Sequence, residues 1–204
     1  MTNTDYYHDY VIREGELIGR FEEMYQQCED PWHQDEGDRL KEQIALLTLL
    51  DADKKIESML DIGCGKGRFT RLLVDSLKPK TVTGMDVSPT ALDTAAERNP
   101  EQEFLAVDVP PIPVEDDSFD LVVAAEVFWY VLTSLKTLLQ EIDRVLEPGG
   151  LVLVLLYFPD DQQYGNEIVD STDDLLELVP FNTVKTIRID NDGQQFIGLF
   201  RTVS

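Results

Sequence analysis

Leu60-Asp61-Ile62-Gly63-Cys64-Gly65-Lys66-Gly67-Arg68 is a strand end that runs through a glycine-rich turn into a helix. The run Ile56-Glu57-Ser58-Met59-Leu60-Asp61 before it reads as a strand, and Phe69 to Leu77 after it reads as an amphipathic helix. Glycines at such a junction adopt positive φ and let the backbone approach a ligand closely. Many tight strand-to-helix turns contain a GxG for structural reasons alone, so the motif gains its meaning from its neighbours.

Downstream, short apolar runs alternate with amphipathic stretches, the signature of repeated βαβ units around a mainly parallel sheet. KTVTGMD ending at Asp86, EFLAV from Glu103, FDLVVAA from Phe119 and LVLVLLYF from Leu151 are the further strands. Helices are expected over 69–77, 90–99 and 132–146, the last with Leu135, Leu139, Ile142 and Val145 on one face and stopped by Pro148-Gly149-Gly150. A short helical segment is expected over 172–178. TVKTIRID and QQFIGLFRTV, joined at Asn191-Asp192-Gly193, then read as a β-hairpin. Upstream, Leu40, Ile44 and Leu47 predict a helix over 38–50 with those residues facing the core. The acidic stretch before it, with Phe21, Tyr25 and Trp32, reads as a cap, and the first ten residues as a loosely docked arm.

A chain of 204 residues with 43% hydrophobic content buries one core and is short for two domains. We expect a single domain over 1–204, with a cap or arm over 1–37 and the core over 38–204. Lys and Arg number 17 against 40 Asp and Glu, a formal charge of -23. That field repels nucleic-acid phosphates and anionic membrane surfaces, and is compatible with a cationic substrate or simply with solubility. Cys28 and Cys64 stand far apart without a CxxC or Cys/His cluster, so neither a disulfide framework nor a metal site is expected. No apolar run is long enough to span a bilayer, and the polar, acidic N-terminus lacks the features of a signal peptide, which together predict a cytoplasmic protein.

The chemistry-bearing residues gather at the predicted strand ends. A dinucleotide fingerprint, GxGxxG, would need glycine where Arg68 stands, whereas GxGxG is complete at Gly63, Gly65 and Gly67. Asp61, just before the turn, either anchors the loop or orients a cationic amino group. Asp86, with Val87 after it, stands where a ribose-binding carboxylate belongs, while Ser88-Pro89 has the form of a helix start. Asp108 and Val109 follow the third strand and suit an adenine edge, or a plain solvent-exposed loop. Glu126, Trp129 and Tyr130 follow the fourth strand, where open α/β sheets bind ligands.

In this arrangement, from LDIGCGKG through GMDVS and AVDV to LEPGG, the chain resembles the class I S-adenosylmethionine-dependent methyltransferases over residues 56–158. The resemblance implies a Rossmann-like, doubly wound, mostly parallel seven-stranded sheet in a three-layer sandwich with a C-terminal antiparallel hairpin. It also implies S-adenosylmethionine as cofactor and S-adenosylhomocysteine as product. Asp61, Gly63 and Gly65 would surround the methionine part, Asp86 and Val87 the ribose, and Asp108 and Val109 the adenine, with Glu126 also on the cofactor side. CEDPWHQDE and EVFWYVL are in addition similar to the nodulation N-methyltransferases, which methylate an amino sugar.

A sulfonium is already an electrophile, so alignment and exclusion of water are the main tasks. His33, beside Trp32, is the candidate base, and Trp32, Trp129 and Tyr130 are candidate walls for a small-molecule acceptor in a monomer or homodimer. An NAD-dependent oxidoreductase and a non-catalytic cofactor-binding module are the competing readings.

Overall fold

The computed structural model describes residues 9–32, 40–191 and 193–203. A two-stranded antiparallel ribbon, β1 (Ile12–Arg13) and β2 (Glu16–Leu17), precedes helices α1 (Phe21–Gln27) and α2 (Leu40–Leu50). The core follows as β3 (Ser58–Ile62), α3 (Arg68–Leu77), β4 (Thr81–Asp86), α4 (Pro89–Arg98), β5 (Glu103–Ala106), β6 (Phe119–Ala125), α5 (Leu135–Val145) and β7 (Leu146–Phe158). Helix α6 (Thr172–Leu178) and the hairpin β8 (Asn182–Asn191) and β9 (Gly193–Arg201) close the chain.

Seven strands form one sheet in the order β5-β4-β3-β6-β7-β9-β8. The neighbours from β5 to β7 run parallel, and β9 lies antiparallel between β7 and β8. The chain starts at β3, builds outward to β5, then crosses back to β6 on the other side of β3. That reversal opens a crevice at the C-terminal ends of β3 and β6, the place where open α/β sheets bind ligands. The expected mostly parallel sheet with an antiparallel ending is therefore the observed one.

Both faces of the central strands are covered, which explains their continuous apolar character. Alternate residues of β7 serve different layers. Val152, Val154 and Leu156 join Leu60, Val122 and the α5 face of Leu135, Leu139, Ile142 and Val145. Leu151, Leu153 and Leu155 join Met59, Leu121, Leu73 of α3 and Leu49 of α2. The period-two direction of side chains in a strand thus builds both cores of the three-layer sandwich from one segment.

Three details differ from expectation. Helix α2 turns Ala45, Thr48 and Leu49 inward, and leaves Leu40 49% and Leu47 61% exposed. Apolar residues surround this helix, so periodicity alone misassigns its face; small Ala45 and Thr48, whose hydroxyl donates to the Ile44 carbonyl at 2.8 Å, are what contact with the sheet selects. Helix α5 stops at Val145, before Pro148-Gly149-Gly150, and those residues lie within the extended entry to β7 instead of capping the helix. Its expected first turn, Leu132–Ser134, is a 3-10 turn instead, and a second 3-10 turn, Phe128–Tyr130, precedes it.

Asp120 at the start of β6 reaches across to β3, where its carboxylate accepts from the backbone N–H of Glu57 at 2.7 Å and of Ser58 at 2.9 Å. This brace fixes the opposite end of the sheet from the crevice. At the crevice end, Gly67 begins α3 with φ of 69°, and a Cβ there would meet Asn99 Nδ2 at 2.7 Å and the Ala95 Cβ at 2.9 Å. Gly67→Ala should therefore cost roughly 1–3 kcal/mol through backbone strain and crowding against α4. Chemical denaturation measures this loss, and an unchanged midpoint would contradict the packing described.

Candidate active site

A cavity of about 870 Å3 opens at the C-terminal ends of β3, β4 and β6. Its floor is the glycine turn. Gly63 has φ of 67°, and a Cβ on it would lie 2.2 Å from Val127 Cγ2, so Val127, two residues past β6, closes on a backbone that has no room for a side chain. Gly65 donates its N–H to Asp86 Oδ2 at 2.9 Å, and Ser88 donates its N–H to Asp86 Oδ1 at the same distance. Asp86 therefore ties the turn after β3 to the turn after β4 and still presents free lone pairs to the cavity. Helix α4 is capped by Ser88, whose hydroxyl accepts from Ala91 N–H at 3.1 Å, with Pro89 at its first position.

Asp61 lines the same cavity although it is only 2% exposed, and accepts from the Thr70 hydroxyl at 2.5 Å. Burial pushes its carboxyl up to about 7, and the neighbouring Asp86 and Glu42 charges act in the same direction. Burial likewise raises Asp86 above the ordinary carboxylate range, against the backbone N–H bonds it accepts. The two cations of the lining are both occupied: Lys41 pairs with Glu126, and Arg68 pairs with Glu42. Asp61, Asp86 and Asp108 thus leave a negative field in the crevice, favourable to a cationic ligand.

The roof is the N-terminal segment. Phe21, Tyr25 and Trp32 line the cavity together with Tyr130. Trp32 Nε1 donates to the Tyr25 hydroxyl at 2.8 Å, and the rings of Phe21 and Trp32 lie 5.0 and 6.0 Å from that of Tyr130. Two ties hold this cap down. The Glu22 carboxylate accepts from the hydroxyls of Ser88 and Thr90 at 2.6 and 2.7 Å, and from the Thr90 N–H at 3.1 Å. Partial burial acts against ionisation, yet these bonds hold the Glu22 carboxyl down at about 2. The second tie is Lys66, which donates to the Glu29 carbonyl at 2.6 Å.

The structure gathers most of the residues singled out from the sequence. Asp61, Gly63, Gly65, Asp86, Val87, Asp108, Val109, Glu126, Trp32 and Tyr130 all line the one cavity. Trp129 does not: it is 9% exposed, donates its indole N–H to the Tyr157 carbonyl at 2.8 Å and packs edge-on against Phe158. The 3-10 turn sends adjacent aromatics to opposite sides, which makes Trp129 a core residue and Tyr130 a wall. Lys66 and Arg68 are engaged with the cap and with Glu42 rather than solvated. His33 lies outside the described residues.

Several contributors were invisible in the sequence. Lys41, Glu42, Tyr157 and Gln195 enter the lining from α2, β7 and β9, and no local motif marks them. Arg144 and Glu141 on α5 position the segment that follows Asp108 and Val109. Arg144 donates to the carbonyls of Ile112 and Val114 at 2.8 and 2.9 Å, and Glu141 accepts from the Ile112 N–H at 3.0 Å.

Sheet order, crevice and glycine turn define the fold of the class I S-adenosylmethionine-dependent methyltransferases. Residues 60–154 match the family model of the methyltransferase domain. Among similar structures, the N-methyltransferase NodS from Bradyrhizobium japonicum in complex with S-adenosylhomocysteine has a TM-score of 0.76 at 24% identity, over 91% of this chain and 98% of its own. A putative methyltransferase from Haloferax volcanii, in complex with the Trm112 activator, has a TM-score of 0.70 at 16% identity, over 92% and 99%. Among curated relatives, malonyl-[acyl-carrier protein] O-methyltransferase of Serratia marcescens is 34% identical over 97 residues, 48% of this chain and 37% of the relative. A probable phthiotriol/phenolphthiotriol dimycocerosates methyltransferase of Mycobacterium ulcerans is 31% identical over 118 residues, 57% and 45%. The chain thus spans less than half the length of these two relatives.

NodS was solved with S-adenosylhomocysteine, and the residues lining the cavity of this chain would fit S-adenosylmethionine. Asp86 has lone pairs for vicinal hydroxyls, Asp61 stands by for an ammonium, and a side-chain-free backbone faces the cavity at Gly63.

The raised Asp61 carboxyl makes two linked expectations. Between pH 3.8 and about 7 the native state holds a proton that the unfolded chain has released, so stability declines as pH rises through that window and then levels off. A ligand bearing an ammonium binds the ionised form, so affinity for S-adenosylhomocysteine should rise as pH passes about 7. Calorimetry from acid to alkaline pH should show both slopes in the native protein and their flattening in Asp61→Asn.

Proposed function

We propose that this protein is an S-adenosylmethionine-dependent methyltransferase that methylates nitrogen or oxygen of a small polar metabolite, with amino sugars and other sugar-like compounds as the first class to test. The observation that carries this reading is a single cavity walled on one side by the glycine turn and its acids, and on the other by the aromatic cap. Bound cofactor supplies an activated methyl group on a positively charged sulfur.

The chain's own residues supply binding, alignment and exclusion of water. Asp61 with Gly63 and Gly65 holds the amino-acid end, Asp86 with Val87 holds the ribose, and Asp108 with Val109 faces the adenine. Trp32 and Tyr130, joined by Phe21 and Tyr25, form the acceptor walls and present ring faces that favour positive charge. A base role for His33 rests on its place beside Trp32 in the sequence alone. Support for N-methylation comes from the shape shared with NodS, whose name states that chemistry; oxygen stays in the proposal because a curated relative is an O-methyltransferase. The charge of -23 argues against a nucleic-acid acceptor. No helix among the described residues is long and apolar enough to cross a membrane. We accordingly propose a cytoplasmic monomer or homodimer.

Titration with S-adenosylmethionine, S-adenosylhomocysteine and NAD tests the premise. Binding of both adenosyl ligands but not NAD is the expected result, and binding of NAD alone would reject it. Asp86→Ala should weaken S-adenosylhomocysteine binding by roughly 1.5–3 kcal/mol, the loss of hydrogen bonds to a charged group. Adenosyl-ligand binding without transfer to any amine or hydroxyl compound would instead mark a binding module.

A further inference from the structure

Glu126 directly follows the central strand β6 with a positive φ of 62°, unusual for a residue with a side chain, and this conformation is held by its surroundings. Its N–H donates to the Leu155 carbonyl at 2.8 Å, and its Oε2 accepts from the Tyr157 N–H at 2.9 Å. Its Oε1 faces the cavity and is taken by the ammonium of Lys41 from α2. One residue of the lining therefore already receives a primary ammonium.

A second acceptor lies close by in the sheet. Gln195 of β9 is paired with Tyr157 of β7, the residue whose N–H Glu126 holds, and Gln195 also lines the cavity. Its Oε1 is buried and has no hydrogen-bond partner. A buried amide oxygen without a donor costs about 1–3 kcal/mol, so the site favours a ligand that brings donors. A carboxylate, an orphan carbonyl and the rings of Tyr130 and Trp32, all in the lining of one cavity, are the kinds of group that suit an ammonium. A lone hydroxyl has one proton to donate and no charge to offer.

We propose that Glu126 and Gln195 receive the amino group of the methyl acceptor, that Lys41 occupies this position until the acceptor replaces it, and that Glu126 takes the proton the amine loses. The acceptor class is then a primary or secondary amine. The proposal rests on the methyltransferase reading and refines it. In the balanced step, the acceptor's ammonium first passes a proton to Glu126 Oε1, and the nitrogen lone pair so freed bonds to the methyl carbon while the carbon–sulfur pair goes to sulfur. The products are a methylated ammonium, a neutral thioether and a carboxylic acid.

The experiment uses the full chain saturated with S-adenosylhomocysteine, titrated with a panel of primary amines and their hydroxyl counterparts, followed by methyl transfer measured by mass spectrometry. An amine should bind and be methylated in preference to its hydroxyl partner. Glu126→Gln should lower kcat by about 100-fold, the usual size of a lost proton acceptor, and the rate should recover as pH rises and free amine accumulates. Far-ultraviolet circular dichroism should show that variant folded. Lys41→Met removes the resident ammonium, so it should tighten amine binding; a purely structural ion pair predicts no such gain. Preference for the hydroxyl compounds, undiminished kcat in Glu126→Gln, or weaker amine binding in Lys41→Met would each overturn the assignment. Failure of every amine to bind while S-adenosylhomocysteine binds would also overturn it and leave the cofactor reading standing. Failure of S-adenosylhomocysteine itself to bind would reject the methyltransferase reading first.

Discussion

The turn after β3 has to pass beneath Val127 and bond Asp86 of the next strand, and both demands fall on one short backbone segment. At Gly63 the gap to Val127 excludes even a methyl group, and at Gly65 the N–H is held by Asp86 from the next strand. Three neighbouring strand ends, those of β3, β4 and β6, are thereby locked into one geometry. The crevice at the sheet's reversal point keeps its shape because its floor has no side chains that rotate.

Electrostatics build on that floor. The sheet gathers acids at one rim, and burial raises Asp61 and Asp86 above their ordinary range while Lys41 and Arg68 are spent on Glu126 and Glu42. The cap is joined to the same machinery: Glu22 bonds the start of α4, beside Asp86, and Glu29 accepts from Lys66 inside the glycine turn. The cap and the glycine turn are therefore physically connected. Hydrogen bonds and the buried apolar cluster of Val11, Ile12, Met24, Tyr25 and Ala91 together set the position of the roof.

Much of the fold was legible because its signals are local. Strand runs, the helix of Leu135, Leu139, Ile142 and Val145, the glycine turn and the Asn191-Asp192-Gly193 hairpin each express a backbone preference within a few residues. The illegible parts depend on which face meets what. Helix α2 is apolar on several sides, and only contact with the sheet selects Ala45, Thr48 and Leu49 over Leu40 and Leu47. Trp129 and Tyr130 are adjacent and alike in character, and only the 3-10 turn sends the first into the core and the second to the cavity.

Local order along the chain determined the strands, the hairpin, the acids at the strand ends and the expected sheet class, because each of these is written in residue spacing and backbone conformational freedom. Tertiary structure alone decided that Glu126 meets Lys41, that Arg68 meets Glu42, that Gln195 joins the lining and that the cap ties down through Glu22. Those partners are separated by tens of residues in the chain, and their pairing follows from packing between layers, which no short stretch of sequence encodes.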